Sequence, residues 1–344
     1  MSNANALLLL CLGVIASACS SGTPGQEEFP TPNVQQVGGS TMGTSWAALW
    51  VTEDAPATSY PSDVQQTLEK ELERINALMS TWEPNSELSL FNASVGIEPV
   101  ALDKDTLKVI DTALPISRLT SGRYDITLKP IIDLWGFSYD TVTPTPDADA
   151  IKSALLLSGY RQLVRVGDTV RKRKPEVAID VSSLAKGYAV DKLGEVLESH
   201  GISRYLVDIG GELRARGARI DGYAWHVGIE NPEGLVPQLV ALRDAHIASS
   251  GSYRNFRIEN GKRLSHIIDG ATGRPIEHDL VSVSVIHQST MLADAWATAL
   301  LVVGEQDALA LIEQQGLSAQ LTVHRDGDFK RITSPGFAGM LVDQ

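Results

Sequence analysis

Residues 290–303 (TMLADAWATALLVV) carry a single charge, Asp294, in an otherwise apolar run. At helical spacing Thr298 lies one turn on, so a carboxylate and a hydroxyl share one face. A lone carboxylate in apolar surroundings is costly unless it is paired or binds a cation. Two readings stay open on the residues alone. The pair is an Asp–Thr hydrogen bond on a helix surface, or it is half of an oxygen-rich site for a hard cation.

Asp180 closes the apolar run 177–180 and stands just before Ser182, Ser183 and Lys186. The pattern predicts a strand end followed by a helix, with Ser182 or Ser183 at the N-cap. Asp180 either assists that cap or, beside a helix N-terminus and Lys186, helps to hold a phosphorylated ligand. A third group sets the hydroxyl-rich, flexible run 249–254 (SSGSYR) before His266 and Asp269. A lone histidine is more often structural than catalytic. Near oxygen-rich loops and a cation candidate, His266 is a candidate general base. Other chemistries fall away. Residues 38–45 (GGSTMGTS) space their glycines like a phosphate-binding loop, but Thr44 stands where the lysine must be. The chain contains no G-x-G-x-x-G, H-E-x-x-H or G-x-S-x-G.

These residues need elements to hold them. Residues 34–51 read as strand material broken by the small-residue run 38–44. The periodicity predicts a helix over 62–79, with Val64, Leu68, Leu72, Ile75 and Met79 on one face and a Ser62/Gln65 capping box. A second helix is expected over 103–119, bent at Pro115. A third is expected over 184–200, with Leu184, Tyr188, Leu193, Val196 and Leu197 as its stripe and Gly201 ending it. Strands are expected at 204–209, 225–230, 239–242 and 280–287, and helices at 290–303 and 306–315. Residues 143–149 read as a surface loop and the basic run 171–174 as a solvated hairpin turn. Strands in hairpin-like runs among helices favour an α+β fold over a doubly wound sheet.

The chain has 344 residues, of which 43% are hydrophobic and 21% charged, enough apolar material to exclude a disordered chain. Its formal net charge of −13 argues against nucleic acid, whose affinity rests on Lys and Arg neutralising phosphates. The two cysteines, Cys11 and Cys19, both precede residue 20, so no disulfide framework or Cys-based metal site can form beyond them. Residues 6–18 (ALLLLCLGVIASA) are too short an apolar stretch to span a bilayer and end in small residues just before Cys19. This is the pattern of a lipoprotein signal over 1–18, with Cys19 as the lipidated first mature residue and 19–33 as a flexible tether. An ordinary cleaved signal peptide is the alternative, and residues 1–5 lack the usual positive charge.

Nine segments, in order, resemble the ApbE-type FAD:protein FMN transferases. They are 41–44 (TMGT), 80–89 (STWEPNSELS), 121–125 (SGRYD), 134–137 (LWGF), 179–191 (IDVSSLAKGYAVD), 208–212 (DIGGE), 249–254, 266–269 (HIID) and 293–298 (ADAWAT). Each is weak alone; together they cover nearly the whole mature chain. The resemblance implies a T-fold-like α+β domain over 34–344, with mixed, largely antiparallel sheets, packed helices and room for two subdomains. It implies transfer of the FMN half of FAD to a Ser or Thr hydroxyl of another protein, with AMP leaving. It implies Mg2+ held by Asp294, Thr298 and the main-chain carbonyl of Ser183. It further implies FAD contacts at Met42, Trp82, Arg123, Tyr124, Asp125, Asp180, Lys186 and Ile268. His266 is then the candidate base for the acceptor hydroxyl, with Asp269 as its rival. The implied acceptors are exported flavoproteins, such as subunits of sodium-translocating NADH:quinone oxidoreductases or Rnf complexes. The enzyme is expected to face the periplasm of a bacterial envelope from a lipid anchor, on the inner membrane. Two rival functions use the same residues: an FAD pyrophosphatase giving FMN and AMP, and a non-catalytic FAD-binding lipoprotein.

Overall fold

Successive residues of a strand point to opposite faces, and the strand Thr44–Val51 shows what that does here: Ala48 and Trp50 enter one core, Leu49 and Val51 another. The computed structural model describes residues 34–52, 60–137, 144–230, 234, 237–253, 256–259 and 262–342. The expected signal, the tether and Cys19 lie outside the described residues, as do Thr143 and Arg254. An eight-stranded sheet has the order Val34–Thr41, Thr44–Val51, Tyr205–Ile209, Glu212–Arg216, Ala245–Gly251, Leu280–His287, Ser318–Arg325 and Asp328–Thr333. Every neighbouring pair is antiparallel. The expected α+β class is therefore the observed one.

Helices Pro61–Met79, Lys104–Leu119, Ser182–Ser199 and Thr290–Gln315 share the first core with one face of the sheet. The hairpin Trp225–Ile229/Gln238–Leu242 and the short helix Pro335–Ala338 cover the other face. A third cluster joins Leu128, Ile131 and Trp135 to Ile151, Ala154 and Ile268. Thr290–Gln315 is long and apolar enough to cross a membrane, but its apolar window is mostly buried inside the protein. Its first part, residues 290–303, is the central core segment, apolar on all sides because it is packed on all sides. Gly304, at φ 78° and ψ 172°, breaks it, as the separate helical expectations for 290–303 and 306–315 require.

Several expectations need correction. The break in the first hairpin is confined to Met42 and Gly43, both at positive φ, while Gly38 and Gly39 pair with Ala47 and Trp46 inside the ladder. The Ser62/Gln65 capping box does not form: Tyr60 is the N-cap, Pro61 opens the helix, and Ser62 Oγ reaches only Asp63. The buried stripe of that helix is the expected one. Residues 148–155, read in part as loop, form the helix Ala148–Leu155, capped by Asp147. The flexible run at 249–251 is strand, because its serines hydrogen-bond across to neighbouring elements.

The basic run is the largest correction. The turn of its hairpin lies at Gly167 and Asp168, and the strand Thr169–Lys172 points Val170 and Lys172 inward. Lys172 is buried, and its Nζ donates to the carbonyls of Phe91, Asn92, Ser94 and Pro175 at 2.6–3.3 Å. Burial pulls its pKa down, but the four acceptors suit an ammonium. Removing it leaves carbonyls dry at about 1–3 kcal/mol each. Lys172→Met should therefore lower unfolding stability in urea by at least about 2 kcal/mol. A midpoint within error of the wild type would show that water replaces the ammonium freely.

Candidate functional site

A cleft of about 540 Å³ opens between the helix layer and the sheet. Its polar floor is built from four segments. The helix Ser182–Ser199 supplies Ser183 and Lys186, and Thr290–Gln315 supplies Asp294 and Thr298. The turn 210–212 supplies Glu212, and the strand Ala245–Gly251 supplies Ser249 and Ser250. Leu128, Ile132, Phe137 and Ile268 form an apolar side, and Trp82, 65% exposed, also lines the cleft.

The two helices meet at Gly187. A Cβ there would lie 2.4 Å from the Thr290 carbonyl oxygen and 2.8 Å from Asp294 Cβ, so only glycine allows this crossing. The Gly187 N–H donates to Asp294 Oδ2 at 3.0 Å. In a regular helix that N–H serves the carbonyl four residues back, that of Ser183. Asp294 is buried, and burial, with the Glu212 carboxylate nearby, pushes its pKa up to about 8. Glu212 is also buried and pushed up by burial; Lys186 Nζ donates to its Oε1 at 2.6 Å, and its Oε2 has no partner among the described residues. Two buried carboxylates thus share one ammonium. Burial works against the Lys186 charge, but Glu212 and Asp294 outweigh it and raise its pKa.

Asp180 is not a free anion at the helix start. Its Oδ1 accepts from Ser182 N–H, so it does the capping expected of the serines, and Ser182 is already helical. Ser183 Oγ instead meets Tyr124 Oη at 3.0 Å, and burial raises the pKa of that phenol strongly. Asp125 lines the cleft, yet its carboxylate is taken up by Thr127 and the Tyr160 N–H; burial raises its pKa.

Of the expected site residues, the cleft brings together Trp82, Tyr124, Asp125, Asp180, Ser183, Lys186, His266, Ile268, Asp294 and Thr298. Met42 and Arg123 are not among its lining residues. Met42 sits in the hairpin turn and packs partly on the first core. Arg123 donates to Asp269, Asp307 and the carbonyls of Val302 and Val303, just before the break at Gly304. Asp269 meets Arg123 and the Ala271 N–H, and it is not among the residues that line the cleft. Glu212, Gly187 and Ser250 were given no individual role by the sequence. The pointers were present: a carboxylate straight after two glycines, and a glycine inside a helix.

The cleft defines a protein that presents buried carboxylates, one ammonium and hydroxyls at the polar end of a slot suited to a large planar, phosphorylated ligand. The chain belongs to the ApbE family, whose family model matches residues 42–321. It is 37% identical over 320 residues to the FAD:protein FMN transferase of Vibrio cholerae, covering 91% of this chain and 94% of that one. It is 37% identical over 348 residues to the FAD:protein FMN transferase of Klebsiella pneumoniae, covering 98% and 97%. The crystallised flavin transferase ApbE from Vibrio cholerae superposes with a TM-score of 0.85 at 36% identity, over 90% of this chain and 100% of that one.

The helix that carries Asp294 and Thr298 is anchored by Asp191. Asp191 accepts from the N–H groups of Thr290 and Met291 and from Ser289 Oγ, and its carboxylate meets His246 Nδ1 at 3.1 Å. Burial alone would raise its pKa; the hydrogen bonds from His246, Thr290, Ser289 and Met291 outweigh it and hold the pKa at about 2. A folded-state pKa below the unfolded value gives stability that is present above about pH 4 and is lost as the pH falls towards 2. Asp191→Asn should cost about 2 kcal/mol at pH 6. The gap to the wild type should narrow by about 1 kcal/mol by pH 3. Urea unfolding at both pH values tests this; a gap that stays constant would assign the loss to packing instead.

Proposed function

We propose that this chain transfers the FMN half of FAD to a Ser or Thr hydroxyl of an acceptor flavoprotein, releasing AMP, with Mg2+ as cofactor. The observation that carries the reading is the buried, cation-poor floor: Asp294 accepts one hydrogen bond, from Gly187, beside the partnerless Oε2 of Glu212, inside a cleft of about 540 Å³. The donor set suits a hard cation. Asp294 and Thr298 supply side-chain oxygens, and the Ser183 carbonyl lies one turn before Gly187, whose N–H donates to Asp294. When bound there, magnesium supplies positive charge that screens the pyrophosphate oxygens.

The chain's own residues do the rest. Lys186, held by Glu212, presents a charged donor to the pyrophosphate. Asp180, Tyr124, Ile268 and the exposed ring of Trp82 line the path of the flavin nucleotide. His266 accepts the proton of the acceptor hydroxyl as its oxygen bonds to phosphorus and the bond to AMP breaks. Arg123 and Asp125 support the wall of the cleft through their hydrogen bonds. The fitting acceptors are exported flavoproteins of the kind found in sodium-translocating NADH:quinone oxidoreductases and Rnf complexes. We further propose that lipidation at Cys19 anchors the enzyme on the periplasmic side of the inner membrane.

The test combines the purified protein, FAD, Mg2+ and an acceptor domain, followed by a denaturing gel under ultraviolet light. A fluorescent acceptor band should appear, with the mass of FMN added. Asp294→Ala or a chelator should abolish it, and His266→Ala should cut its rate by about 10²–10⁴-fold. Release of free FMN and AMP without a band would make the protein a pyrophosphatase. FAD that stays intact with a competent acceptor present would leave a flavin-binding protein without this activity.

A further inference from the structure

We propose that Ser250 is a positioning residue that orients the Thr298 hydroxyl, so that Thr298 presents lone pairs rather than its proton to a bound cation. This rests on the reading of Asp294 and Thr298 as cation ligands. A threonine hydroxyl has one proton and two lone pairs, and a cation takes the lone pairs. The proton then needs an acceptor elsewhere. Within a helix the usual acceptor is the carbonyl one turn back. Thr67, Thr112 and Thr120 all use it, donating to Asp63, Lys108 and Ile116. Thr298 makes no such bond among the described residues. Its hydroxyl instead meets Ser250 Oγ at 2.8 Å.

Ser250 suits this task. It sits in the strand Ala245–Gly251, fixed on one side by pairing with Val283, so its Oγ belongs to the rigid sheet rather than to the helix. With Thr298 donating to Ser250 Oγ, the lone pairs of Thr298 face the floor shared with Asp294. Ser250 keeps its own proton for the cleft it lines. The bond also ties the sheet to the helix at the turn that would hold the cation.

The experiment titrates Mn2+, as a spectroscopic stand-in for Mg2+, into the full chain with FAD and no acceptor, read by electron paramagnetic resonance. Ser250→Ala should weaken Mn2+ binding about 10- to 100-fold, the usual effect of losing a partner that orients a ligand. Ser250→Thr, which restores a hydroxyl, should recover most of it. In a Thr298→Val background Ser250→Ala should add nothing, because Ser250 acts only through Thr298. An unchanged affinity in Ser250→Ala, or a loss that adds to that of Thr298→Val, overturns the proposal. If Asp294→Ala abolishes binding while Ser250→Ala does not, the cation site stands and only the role of Ser250 falls. If Asp294→Ala itself leaves binding intact, the reading of the cation site falls and takes this proposal with it.

Discussion

The whole floor of the cleft depends on one close approach, that of Gly187 to Thr290 and Asp294. A glycine inside a helix costs about 1 kcal/mol relative to alanine. The chain accepts that cost because any Cβ would collide with the second helix. The approach brings a backbone N–H within hydrogen-bond range of a carboxylate side chain on another helix. One turn further along the first helix, Asp191 takes up the opening N–H groups of the second. Two contacts on one face, a turn apart, fix both the sliding and the rotation of the helix that carries Asp294 and Thr298. The geometry of the site is thus a consequence of backbone packing, with little left to flexible side chains.

The charges of the floor are arranged differently from those of Lys172 and Asp269. Lys172 is saturated by four carbonyls, and the Asp269 carboxylate is met by Arg123 and the Ala271 N–H. Those groups are structural and balanced. At the floor, Asp294 and Glu212 share one ammonium, Glu212 Oε2 has no partner among the described residues, and burial raises the pKa of both acids. Beside those two balanced ions, the floor is one positive charge short among the described residues. An imbalance confined to a cleft is the physical mark of a ligand site, since a buried polar group without a partner is otherwise costly.

How much of this was readable in the sequence depends on the range of the interaction. The stripe Val64, Leu68, Leu72, Ile75 and Met79 is local periodicity, and it is the buried face observed. Asp294 was legible because one charge in an apolar run violates a local rule. Lys172 was not, since one lysine in a run of four is buried only by strand phase and by carbonyls some eighty positions away. Arg123 and Asp269 find each other across a long stretch of chain, so each looked available for a ligand. Ser249 and Ser250 looked flexible because hydroxyl-rich sequence is usually loop; here cross-strand and sheet-to-helix hydrogen bonds hold them in a strand.

Arg123 is instructive, because its place explains how the site is held from its far end. Gly304 interrupts the regular backbone of the core helix. The Arg123 guanidinium donates to the carbonyls of Val302 and Val303 there. Asp191 supplies negative charge at the N-terminus of the same segment. An anion at the start of a helix and a cation at its end both oppose the helix dipole favourably. The segment from Thr290 to Val303 is therefore clamped at both ends by charges of the right sign, from two different parts of the chain. Asp294 and Thr298 lie between those clamps, facing the glycine crossing. A short apolar segment held at both ends thus sets where both side chains stand.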